Sequence, residues 1–146
     1  MLRRGGEFIL NLLPAVTVNY TAVLAAAVAA MAVGYIWYGP LFGKTWIKLT
    51  GAKEMGNKND MPKTYVIQFV ASVVTAYVLA AFLGLTGTTG LTGALMVAFW
   101  AWLGFQAVEK VGVVLWEGKS WNLFFLGAAG QLVTILVMAA VLSYLK

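Results

Sequence analysis

The chain has 146 residues, of which 62% are hydrophobic and 10% charged, and a net charge of +5. A soluble domain carries about 25% charged residues, so this chain cannot coat a water-facing surface and lipid must cover much of it. Cysteine and histidine are both absent, which excludes thiol chemistry, disulfides, Cys- or His-ligated zinc and His-ligated haem.

Residues 1–15 form a prefix with Arg3 and Arg4 ahead of Phe8-Ile9-Leu10 and Leu12-Leu13, closed by Pro14. Three readings stay open for it: a short amphipathic piece at the membrane interface, an early start, or the start of a signal peptide. Residues 16–146 read as one four-span transmembrane domain. The spans run about Val16–Tyr38, Tyr65–Leu85, Leu91–Leu115 and Trp121–Leu145. Each has about 20 residues or more, enough at ~1.5 Å per residue to cross a ~30 Å hydrocarbon core. The expected fold is all-α, an integral membrane four-helix bundle with antiparallel neighbours, because short connections reverse the chain.

In the first span Ala22, Ala26, Ala30 and Gly34 recur every four positions, and in the second Ser72, Ala76, Ala80 and Gly84 do the same. Such stripes let membrane helices approach closely. They suit either packing of the first span on the second or a dimer seam. Gly39-Pro40 is expected to end the first span. Trp37, Tyr38 and Trp46 near this end, and Trp116 and Trp121 around the last loop, are expected as interface anchors.

The basic residues set the expected orientation. With the first and third loops on one side, Lys44, Lys48, Lys53, Lys58, Lys63, Lys110 and Lys119 fall there, seven against Arg3, Arg4 and Lys146 opposite. The positive-inside rule then puts the charged loops in the cytoplasm and both termini outside a cell membrane. The same distribution assigns the positive charge to lipid headgroups and topology, not to nucleic acid.

Polar groups at membrane depth are costly unless paired, so function is sought among them. Gln68 lies in the second span, Gln106 and Glu109 late in the third, and Gln131 in the fourth. Gln106 stands one turn before Glu109, nearly on the same face. Glu109 is either a boundary charge, if the span ends near Ala107, or a proton- or cation-binding carboxylate two turns inside, if it runs to Trp116. The amides read as hydrogen-bonding glue between helices or as ligand contacts. Trp100 and Trp102 point about 200° apart, one toward lipid and one inward. No catalytic set assembles: Gly87–Gly93 lacks the setting and lysine of a phosphate loop, and no Ser or Thr has a histidine base. Neither enzyme activity nor a cofactor is expected.

Several stretches together resemble the domain of unknown function 1761 family of small prokaryotic membrane proteins. They are Val18-Asn19-Tyr20, the run from Trp37-Tyr38-Gly39-Pro40 through Gly43-Lys44-Thr45-Trp46, Gly104-Phe105 and Glu117-Gly118-Lys119. The resemblance implies four helices and a bacterial or archaeal membrane, and carries no activity. It also implies a histidine near position 131, where this chain has glutamine, which argues against a proton relay there. The expected role is packing and interaction, as a homo-oligomer or an accessory subunit of a larger membrane complex. The alternative is a small dimeric transporter or channel using Glu109.

Overall fold

A computed structural model of the protein describes residues 18–50 and 61–145. The expected prefix, Lys53, Lys58 and Lys146 lie outside the described residues. Helix α1 (Tyr20–Ile36) passes into a π-helical turn (Trp37–Leu41) and then a short helix α2 (Gly43–Thr50). Helix α3 (Met61–Leu85) follows. Helix α4 (Gly90–Ala101) leads through a second π-helical turn (Trp102–Ala107) into α5 (Val108–Glu117), and α6 (Trp121–Tyr144) completes the bundle. Four of these runs are long and apolar enough to cross a membrane: Tyr20–Leu41, Pro62–Leu85, Gly90–Glu117 and Trp121–Tyr144.

Local chemistry sets the helix ends. The Asn19 side chain caps α1 by accepting from the Ala22 N–H, and Ser120 caps α6 by accepting from the Leu123 N–H at 3.1 Å. Capping of this kind satisfies backbone donors that the first turn leaves free. Gly118, at φ +69°, takes the left-handed conformation that closes α5. The first span does not stop at Gly39-Pro40 as expected. Pro40 has no N–H to donate, and the chain widens into a π turn in which the Phe42 N–H reaches the Trp37 carbonyl at 2.9 Å. The span therefore ends at Leu41. The third span likewise runs past Leu115, to Glu117.

Across the bundle the spans are ordered second, first, fourth, third. Helix α1 packs against both α3 and α6, α4 packs against α6, and α3 touches α4 only slightly although a short turn joins them. Neighbours in this order are antiparallel. The core is built from small residues of α1 (Ala22, Ala26, Ala30) against Ala76 and Leu79 of α3 and Met138, Ala139 and Leu142 of α6. Ser72 is buried with them, whereas Gly34 and Ala80 are half-buried and Gly84 is uncovered. Most of the first stripe is thus covered within the chain itself, against α3 and α6.

Candidate functional site

Helix α3 leans on the bundle only through its second half. Its buried positions begin at Ser72 and continue with Ala76, Leu79, Ala81 and Leu83. From Pro62 to Gln68 every residue is uncovered. The first half therefore stands off from α1 and α6, and a cavity of about 690 Å³ fills the gap. It runs from the α2 end of the bundle, where Trp46, Tyr38 and Tyr65 line it, to Ala30, Thr134 and Met138 at mid-depth. Its size lies within the ~300–1,000 Å³ usual for small-molecule sites.

Three glutamines from three different spans line this cavity: Gln68 from α3, Gln106 from the second π turn and Gln131 from α6. The hydroxyl residues Ser72, Thr75 and Thr134 join them. Thr75 donates its proton to the Ala71 carbonyl at 3.1 Å, and Thr134 donates to the Gly130 carbonyl at 2.8 Å. The side-chain oxygens of Gln106 and Gln131 are buried and accept no hydrogen bond. A buried acceptor without a donor costs about 1–3 kcal/mol. Neither oxygen is paired with a group on a neighbouring helix. Among the described residues no acidic or basic side chain lines the cavity.

Glu109 stands apart from this site. It is uncovered and does not line the cavity. Gln106 and Glu109, expected on nearly one face, are not brought to one site: only Gln106 lines the cavity. Gln106 is left facing the cavity and Glu109 the outside. Glu109 lies about two turns before the end of this span at Glu117. Beyond it α5 continues as an amphipathic helix with no buried residue. Lys110 stretches along α6, with its Nζ over Gly127.

Two tryptophans fix the wall. Each π turn begins with one, and both indoles bond to α6. The Trp37 N–H donates to the Leu126 carbonyl at 3.2 Å, and the Trp102 N–H donates to the Ala128 carbonyl at 2.9 Å. Trp37, expected as an interface anchor, instead turns inward, because Gly130 leaves room for its ring. Tyr38 and Trp46, also expected at the interface, meet edge-on at 6.2 Å and line the cavity. Trp116 and Trp121 are uncovered, as is Trp100 beside the inward Trp102. The sequence signal for the inward indoles was Gly127-Ala128-Ala129-Gly130, a run of small residues that lets rings approach the α6 backbone.

The family model described as a protein of unknown function, DUF1761, matches residues 21–143. The chain belongs to that family. It is also 33% identical over 89 residues to a UPF0591 membrane protein of Schizosaccharomyces pombe. The match covers 57% of this chain and 60% of that relative, so the chain spans about three fifths of the relative's length. That relative comes from a yeast, a eukaryote, whereas the family resemblance implied a bacterial or archaeal membrane. No solved structure matches.

Proposed function

We propose that this chain binds a small solute inside the membrane and exchanges it through the α2 end of the bundle, acting as a small carrier or channel. The observation that supports this is the cavity lined by Gln68, Gln106 and Gln131, with two amide oxygens buried beside it and bonded to nothing. In this reading the amides take the place first expected of Glu109, which lies outside the cavity. The positive-inside rule places the α2 end, with Lys44, Lys48, Lys63 and Lys119, in the cytoplasm and both termini outside.

Because the chain contains no cysteine, each single-cysteine variant carries one thiol. Gln68→Cys and Thr134→Cys in proteoliposomes are expected to react with a small water-soluble maleimide, and Val133→Cys, uncovered but outside the cavity, to react slowly. Equal, slow reaction at all three sinks the proposal.

A second role, as a homo-oligomer or accessory subunit, draws on the uncovered aromatic cleft between the second and third spans, where Phe82, Met96, Trp100 and Phe105 meet. Native mass spectrometry in mild detergent separates a defined oligomer, a larger complex and a lone chain.

A further inference from the structure

We infer that the ligand of the amide cavity is an uncharged compound bearing several hydroxyl groups, a polyol or a sugar. This rests on the solute-binding reading above and adds the chemical class. Counting donors and acceptors on the cavity wall leads to it. Thr75 and Thr134 have each given their single hydroxyl proton to a backbone carbonyl one turn back, so toward the cavity they can only accept. The Gln106 and Gln131 oxygens are acceptors still without a donor. A half-turn about the last torsion of a glutamine, which is broad and soft, brings either its oxygen or its N–H₂ to the cavity. The N–H₂ groups of Gln68, Gln106 and Gln131 and the Ser72 hydroxyl add donors to the same wall. The wall therefore calls for a ligand that both donates and accepts at several points, and hydroxyl groups do both.

Charge narrows the class further. A protonated amine would also donate, but among the described residues no carboxylate lines the cavity to balance it, and Glu109, the acid closest in sequence to Gln106, is uncovered and outside. An unbalanced charge held at membrane depth is expensive. At the mouth the rings of Tyr38, Tyr65 and Trp46 line the cavity, and aromatic rings suit the C–H side of a sugar or polyol. A free solute and the sugar headgroup of a neutral glycolipid share this chemistry, and the uncovered side of α3 at Thr64, Gln68 and Ala71 admits either.

The test uses Ala71→Cys, an uncovered position on the cavity wall where a thiol replaces no hydrogen-bonding group. Its rate of modification by N-ethylmaleimide is measured in proteoliposomes with glycerol, xylitol or glucose, and separately with tetramethylammonium. Thr86→Cys at the far end serves as the reference thiol. The expected result is slowing by at least one of the three polyols, following 1 + [L]/Kd and so about tenfold at ten times its Kd. Tetramethylammonium leaves the rate unchanged. The slowing disappears when Gln106→Met and Gln131→Met are added. Slowing seen only in vesicles that contain a monoglycosyl diacylglycerol supports the inference too, and assigns the hydroxyls to a lipid. Slowing by tetramethylammonium alone overturns it in favour of a cation. A thiol that reacts but that no probe protects also overturns it, while leaving the solute-binding reading standing. A thiol at Ala71→Cys that does not react removes both.

Discussion

The indole of Trp37 lies so close over Gly130 that a β-carbon there would stand 2.7 Å from Nε1 and 2.9 Å from Cδ1. Only glycine lets the ring reach the α6 backbone and donate to the Leu126 carbonyl. Gly130→Ala is therefore expected to destabilise the bundle by about 1–3 kcal/mol through overpacking, read as a lower unfolding midpoint in detergent. In a Trp37→Leu background the alanine finds space, so its cost there should shrink well below that. Equal cost in both backgrounds would show that the ring and the glycine are not coupled.

Gln106 and Gln131 give the opposite expectation. Their oxygens are buried without donors, so exchanging the amides for apolar groups of similar length removes a penalty. Gln106→Met and Gln131→Met should leave the unfolding midpoint unchanged or raise it, while the cavity loses its ability to shield Ala71→Cys. This is the trade of stability against activity common at binding sites. A large loss of stability would instead identify these amides as structural.

Glu109 sits on the outer surface of the bundle and lines no part of the cavity. Its replacement by glutamine should change stability by no more than about 0.5 kcal/mol and leave cavity labelling as it was. A fall in the labelling of Gln68→Cys would tie the carboxylate to the cavity after all.

Orientation has a direct readout. On intact cells a membrane-impermeant maleimide should modify Thr86→Cys, in the turn between the second and third spans, from outside. Lys119→Cys, in the turn before α6, should be modified only after permeabilisation. The reverse pattern would invert the bundle.

Much of this fold could be read from the sequence, for identifiable reasons. Four apolar runs of crossing length leave few alternatives to four membrane helices, and Ala22, Ala26 and Ala30 are buried in the core between them. The three glutamines stood out because amides are rare and costly at membrane depth, and they converge on one cavity. The π turns could not be read from spacing, because a 3.6-residue period carries straight through them. Gln106 and Glu109 were expected on nearly one face, yet only Gln106 lines the cavity. Tryptophan at a span end has two uses, and only Gly130 across the interface decided that Trp37 takes the inward one. The order of the spans in the bundle depends on which faces fit, and hydropathy does not record that.

The Asn19 side chain, besides capping α1, donates through Nδ2 to the Leu145 carbonyl at 2.6 Å. The two ends of the four-span unit are therefore in contact, 126 residues apart in sequence. A few linker residues would join them, which opens the chain to circular permutation with new ends placed between α2 and α3. It also makes a genetically fused tandem of two units geometrically feasible. In such a tandem a substitution can be placed in one unit alone, so that a cavity acting by itself can be told from a pair acting together.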